Sequence, residues 1–296
     1  MNIREEKNDD DIQEIKNYND SREIKDSYVE SQIPTFNSND LQQLLDNVSL
    51  LDEAIKGGDI KFVCDYFKYY SKYIKETDFA EDVPVEYIEF ILPYIDGLVQ
   101  IDTCEEVLSP LLLSVYNITI NSHYYSSKFA YSPLIQHLLS IIQAKITNYI
   151  TGLSINIIYC ISNYDELHDV TISYFPLQML FGILMSEEFN NEGGYYVLAG
   201  VVNLISIHLH NTTDDQNIQE IFNLILQYME SNEISIITLD LISIISIYVC
   251  KSNGRCDLPK GVIDFISNHL LEIIKEADEA VEDDLFYLLY FLIINN

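Results

Sequence analysis

One histidine of the chain stands inside a short acidic run. His168 follows Asp165 and Glu166 and precedes Asp169. An imidazole beside carboxylates is the side-chain set of acid–base catalysis, and the same groups bind metal ions. The run separates two apolar stretches, where a loop is expected, and a histidine among solvated acids is ordinary in a loop. We therefore expect His168 to be a loop residue without a catalytic role.

The other residues of catalytic or metal-binding type are also poorly placed. His208 and His210 lie two residues apart, which is a turn of about 200° along a helix, so their imidazoles diverge. Cys250 and Cys256 have no further ligands at zinc-site spacing, and the cysteines form no Cys-x-x-Cys pair. No His-Glu-x-x-His, glycine-rich phosphate loop or Gly-x-Ser-x-Gly motif occurs. The sequence predicts a protein of a reducing compartment, the cytoplasm or the nucleus, that is not an enzyme and holds no metal or cofactor.

The elements that position these residues repeat along the chain at a step of 43. That step leads from Asn117 through Cys160, Asn203 and Ser246 to Leu289, each inside an apolar run of helix length. Such a period is typical of stacked helical units that cannot bury their apolar faces alone. The predicted longer helices cover 111–120, 150–161, 195–208, 234–249 and 285–294, and the predicted shorter helices cover 132–142, 175–185, 217–229 and 260–274.

Three regions are predicted from composition. Residues 1–38 are polar and mixed in charge, which is typical of a disordered acidic tail. Residues 39–82 carry helix-start and helix-stop signals at Ser38-Asn39-Asp40 and Gly57-Gly58, so a pair of helices is expected there as an N-terminal cap. Residues 83–296 contain the repeats. The prediction is therefore an all-α chain that forms a right-handed α-solenoid of about five repeats.

Charge is the second strong signal in the sequence. The formal net charge is −31, and no Lys or Arg occurs from Ile146 to Cys250. Nucleic acid and anionic membranes are bound through basic side chains, so neither is expected as a partner. The apolar runs are too short to span a bilayer, which predicts a soluble chain. A field of one sign favours ligands of the opposite sign, and a Lys/Arg-rich protein segment is the expected partner.

The acids fall mainly between the predicted helices, at two edges. We call these the acidic rims, and we expect them to border a groove that binds the partner. The first rim contains Asp165, Glu166, Asp169, Asp214 and Asp215, and the second contains Glu187, Glu188, Glu192, Glu230 and Glu233.

The repeated segment resembles a known family. The run from Ser132 to Leu139, Ser-Pro-Leu-Ile-Gln-His-Leu-Leu, is similar to the armadillo-repeat consensus, in which Ile-Pro-x-Leu-Val-x-Leu-Leu precedes a long helix that ends near Ser-Asn-Leu-Ala. Gln136 departs from that pattern, because the family places Val there. The resemblance covers residues 83 to 295 and implies a superhelix of armadillo or HEAT type that binds proteins along its longer helices.

Within that family, importin-α binds basic peptides through a ladder of Trp and Asn. This chain has no Trp. The resemblance nevertheless implies candidate groove residues on the long helices: Asn117, Asn156, Asn203, Ser246, Tyr116 and Tyr159. We expect a non-enzymatic adaptor or scaffold that captures a basic segment. An importin-α-like transport adaptor and a fixed subunit docked through apolar surface remain open as alternatives.

Overall fold

A computed structural model describes residues 41–76, 93–95, 97–99, 104–189, 193–212, 215–252, 258–276 and 288–289. All regular secondary structure in these residues is helical. The predicted tail, 1–38, and residues Glu192, Asp214 and Cys256 lie outside them. The α-helices are α1 (Leu41–Gly57), α2 (Ile60–Glu76), α3 (Glu105–Asn121), α4 (His123–Ala130), α5 (Leu134–Ala144), α6 (Asn148–Ser162), α7 (His168–Tyr174), α8 (Leu177–Leu184), α9 (Tyr195–Asn211), α10 (Asp215–Ser231), α11 (Ile236–Lys251) and α12 (Lys260–Glu276).

The all-α prediction is confirmed by these helices, and most of them begin at residues with a recognisable start signal. Thr147 and Ser235 precede α6 and α11, and each hydroxyl oxygen accepts a hydrogen bond from a first-turn backbone N–H. Pro133 and Pro176 immediately precede α5 and α8. A proline is tolerated at a helix start because the backbone N–H that it lacks would be unpaired there.

The sequence pattern did not predict two short helices, α4 and α7. Each lies between the end of a long helix and the start of a shorter one, where the sequence predicts a loop. Their apolar residues are too few for a clear 3.6-residue period, since α4 reads HYYSSKFA and α7 reads HDVTISY. The expectation of a loop at His168 is wrong, because this residue opens α7 and is buried.

The long helices pack side by side in chain order. Helix α2 contacts α3, α3 contacts α6, α6 contacts α9, and α9 contacts α11. The shorter helices contact them and one another, with α5 on α6, α8 on α9 and α10, and α10 on α12. One apolar cluster runs through all of these elements, from Leu51 to Leu288.

Polar contacts join residues that are about one predicted unit apart. Lys145 forms an ion pair with Glu188, 43 residues later. Nε2 of His123 lies 2.8 Å from Oε1 of Glu166. Both contacts span the 43-residue step that the sequence predicts.

The junction of α2 and α3 shows how a proline inside a helix is accommodated. Pro110 lies inside α3 and has no N–H to donate to the carbonyl of Glu106. That carbonyl instead accepts a hydrogen bond from the thiol of Cys64 on α2. The backbone group that the proline leaves unpaired is thus satisfied by the neighbouring helix.

The junction of α6 and α9 is close enough to require glycine. A Cβ atom on Gly200 of α9 would lie 2.8 Å from Cγ2 of Ile155 on α6. Real Cβ contacts are longer, so no larger residue fits without a shift of the neighbouring side chain.

Among the described helices, none has both the length and the apolar composition to cross a bilayer.

Candidate partner-binding surface

Four of the six predicted groove residues are buried among the long helices: Tyr116, Asn117, Asn156 and Ser246. The amide nitrogen of Asn117 on α3 donates to the backbone oxygen and the hydroxyl of Ser71 on α2, at 3.2 and 3.1 Å. The amide nitrogen of Asn156 on α6 donates to the carbonyl oxygen of Gly152, at 2.8 Å. Asn117 therefore joins α3 to α2, Asn156 bonds within its own helix, and none of the four buried residues lines an open groove.

Asn117 and Asn156 correct the sequence interpretation for a physical reason. An asparagine on a helix can face solvent or can satisfy a buried backbone carbonyl, and sequence spacing does not distinguish the two. Tyr159 and Asn203 are only half-buried, so these two candidates reach the surface. The importin-α-like alternative loses the support of Asn117, because its amide already has partners inside the fold.

The acidic rims are exposed but partly compensated within the chain. Asp165, Glu166, Asp169, Glu187 and Glu188 all reach solvent. Two of them have partners in the preceding unit, since Glu166 contacts His123 and Glu188 pairs with Lys145. Asp215 opens α10. The charge available to a ligand is thus smaller at these rims than the sequence suggests.

A groove with uncompensated charge lies between α10 and α12. Its volume is about 690 Å³. The two helices touch near one end, where a Cβ atom on Gly261 would lie 2.5 Å from Cδ2 of Leu226. The lining residues are Met229, Glu230, Asn232, Glu233, Ile234, Gly261, Asp264, Phe265, Asn268, His269 and Glu272.

Four carboxylates line this groove, and all four are exposed: Glu230, Glu233, Asp264 and Glu272. None of them forms an ion pair with a Lys or Arg of the described residues. The groove also has an aromatic part, where the rings of Phe265 and His269 stack with centroids 4.4 Å apart. An apolar surface beside unpaired carboxylates suits a ligand with a cationic head and an apolar stem.

Sequence reasoning identified only part of this groove. Glu230 and Glu233 belong to the predicted second rim, whereas Asp264 and Glu272 were missed. A signal was present, because Asp264, Asn268 and Glu272 are spaced by four residues and so share one face of α12. The sequence could not show that this face borders α10.

The cysteines and histidines of the described part of the chain do not gather into a metal-binding cluster. No group of three or more His, Cys, Asp or Glu side chains there is arranged to hold a metal ion. Burial raises the pKa of the Cys160 thiol to about 12, so this cysteine stays protonated at neutral pH. Cys104 and Cys250 are free and exposed.

No protein-family model matches this chain. No curated protein is significantly similar to it either.

Proposed function

We propose that this chain is a helical-repeat protein that captures a basic segment of another protein, and that the α10–α12 groove is its principal binding site. The observation that carries the proposal is the set of four carboxylates in one groove that form no ion pair with a Lys or Arg that the structure describes. Elsewhere in the chain, two rim carboxylates have a partner in the preceding unit. A partner protein would supply the missing positive charge.

The repeat architecture supports this proposal. The long helices contact one another in chain order, and side chains 43 residues apart meet. We infer an armadillo- or HEAT-type α-solenoid from this order, in which neighbouring units expose successive helix ends along one surface. The basic nature of the segment follows from the charge, because the formal net charge is −31 and like-charged ligands are repelled.

The proposal is tested with a fluorescent oligo-arginine peptide and an acidic peptide of the same length. We expect only the arginine peptide to bind, and its affinity should fall steeply between about 50 mM and about 300 mM salt, because exposed charges are screened. Absence of binding to the arginine peptide at the lower salt concentration would refute the proposed function.

A charge-matched pair of variants tests the place of binding. The groove variant combines Glu230→Gln, Glu233→Gln, Asp264→Asn and Glu272→Gln. The control variant removes the same charge at exposed positions elsewhere, with Glu53→Gln, Asp165→Asn, Asp169→Asn and Glu187→Gln. Exposed ion pairs contribute about 0.2–1 kcal/mol each, so the loss of four should weaken binding between about fourfold and about 900-fold. Equal loss in both variants would mean that the acidic rims or the net charge account for binding and that the groove is not the principal site.

A second candidate function is a fixed subunit of a larger assembly, which exposed apolar side chains favour. Leu271 on α12 is 86% exposed, and Ile236 at the start of α11 is 59% exposed. Docking through such residues would respond little to salt. Replacement of Leu271 by Asp should then abolish co-purification of a partner, whereas the groove variant should leave co-purification intact.

A further inference from the structure

Three histidines meet away from the groove, at the junction of α7 and the C-terminal end of α9. His168 opens α7 and is only 6% exposed, and neither of its ring nitrogens has a hydrogen-bond partner among the described residues. Nε2 of His208 lies 2.9 Å from the carbonyl oxygen of Phe175, which directly follows α7. Nδ1 of His210 lies 3.3 Å from the hydroxyl oxygen of Ser206. The buried Nε2 of the same ring has no hydrogen-bond partner in the described part of the chain.

The described side chains that act electrostatically on His208 and His210 are cations or potential cations. His168 opposes protonation of both His208 and His210, and Lys251 at the end of α11 also opposes that of His210. Helix α8 contributes no titratable side chain. On α6, burial keeps the Cys160 thiol neutral. Among the side chains that the structure describes, no carboxylate of α10, of the Glu187–Phe189 turn or of the acidic run beside His168 (Asp165, Glu166 and Asp169) acts on His208 or His210.

Burial is the main cause of the lowered pKa values of His208 and His210. It lowers the pKa of His208, although the hydrogen bond to Phe175 opposes this effect. It also lowers the pKa of His210 to about 4, with further lowering from Lys251 and His168. At neutral pH the imidazoles of His208 and His210 are therefore uncharged.

We propose that the junction of His168, His208 and His210 is an acid-sensitive joint, which releases α7 and the last turn of α9 when His208 and His210 are protonated, while the other described helices stay folded. Among the described side chains, an imidazolium at His208 or His210 would meet a second imidazole or an ammonium. Release exposes the rings to water, where they bind protons at their ordinary pKa of about 6.5. The joint does not depend on what the groove binds.

Proton linkage determines the sign and the size of the pH effect on opening of the joint. The pKa of folded His210 is below its unfolded value, so the open state binds more protons between pH 6.5 and about 4. Stability of the closed joint is therefore fully present above pH 6.5 and is lost as the pH falls through that window. For His210 alone, moving from pH 7 to pH 5 raises the open fraction by about twentyfold.

Amide hydrogen exchange on the full chain tests this joint. After correction for intrinsic rates, peptides covering 166–175 and 204–212 should exchange about twentyfold faster at pH 5 than at pH 7, with little change in α3 and α6. The double variant His208→Gln and His210→Gln should lose most of this dependence. The control variant His137→Gln, in a half-buried histidine of α5, should keep it. Unchanged exchange at the joint, or equal loss of protection across the whole chain, would overturn the proposal.

A measurement on the unmodified chain keeps the test decisive if the double variant does not fold. Imidazole resonances of the six histidines can be followed by NMR during an acid titration. We expect the midpoints of His208 and His210 to lie below 6.5 and to coincide with the loss of protection in the two joint peptides. Midpoints at the ordinary value would refute the joint.

Discussion

The junction of α6 and α9 and the junction of α10 and α12 satisfy their polar groups in opposite ways. At the first, the helices meet so closely that Gly200 leaves no room for a Cβ atom, and the amide of Asn156 is bonded inside the fold. At the second, the helices touch at Gly261 and then leave a groove whose four carboxylates have no basic partner among the described residues. The comparison separates residues that hold the stack together from residues that remain available to a partner.

The largest effect is expected where the close junction is overfilled. Gly200→Ala would bring a methyl group to 2.8 Å from Ile155, and such overpacking costs about 1–3 kcal/mol of unfolding free energy. Gly182→Ala on α8 is the matched control, because nothing lies within 4 Å of the added atom. The control should stabilise the chain by up to about 1 kcal/mol through helix propensity. Urea unfolding gives the change in unfolding free energy for both variants. Equal changes would show that the α6–α9 contact is not tight.

The next largest effect concerns the buried amide of Asn117. Asn117→Ala removes both of its hydrogen bonds to Ser71, and each such bond contributes about 1 kcal/mol net. Asn203→Ala changes a half-buried side chain at the equivalent position of α9 and should cost less than about 0.5 kcal/mol. Thermal melts of the two variants check this difference. A peptide-affinity loss in Asn117→Ala without loss of stability would instead favour the polar ladder expected from sequence.

A smaller effect is expected for the ion pair between Lys145 and Glu188. Lys145→Ala should cost about 0.2–1 kcal/mol, because both partners are exposed. Lys145 has a φ of 50°, in the left-handed region. Lys145→Gly should therefore be more stable than Lys145→Ala by about 1 kcal/mol, since glycine adopts this conformation without strain. The opposite order in denaturant unfolding would contradict the left-handed assignment.

The smallest effect is expected on the stability of the groove variant that neutralises Glu230, Glu233, Asp264 and Glu272. These like charges repel one another weakly across solvent, so their removal should raise the stability by a few tenths of a kcal/mol at low salt. The gain should vanish at high salt. A loss of stability would mean that the carboxylates have structural partners, and the groove would then be a poor candidate for binding.

The sequence predicted the fold class better than it predicted the site. Apolar periodicity is sufficient to predict the long helices, because burial of one helix face leaves a 3.6-residue pattern. The step of 43 also has a structural counterpart, since Lys145 and Glu188 meet at that separation. Helix α7 escaped detection because Val170, Thr171 and Ile172 favour strands as much as helices.

The candidate site was harder to predict because sequence does not show which polar residues a neighbouring helix covers. Asn117 and Ser246 share the helical phase of Asn203, yet Asn117 and Ser246 are buried whereas Asn203 is half-buried. The difference arises from neighbouring helices such as α2, which supplies Ser71 against Asn117. Likewise, Asp264 is a candidate binding residue only because it lines the groove between α10 and α12.

The step of about one unit between contacting residues also affects how the chain folds during synthesis. Side-chain hydrogen bonds between units join residues 46 apart at Asn117 and Ser71, 40 apart at Asn156 and Tyr196, and 43 apart at Lys145 and Glu188. A ribosome adds about 5–20 residues per second, so a unit of that length takes about two to nine seconds to emerge. Helices form within about a microsecond. A long helix is therefore complete for seconds before the residues that contact it from the next long helix are synthesised. The rate of translation, and not the rate of helix formation, limits how fast the core forms.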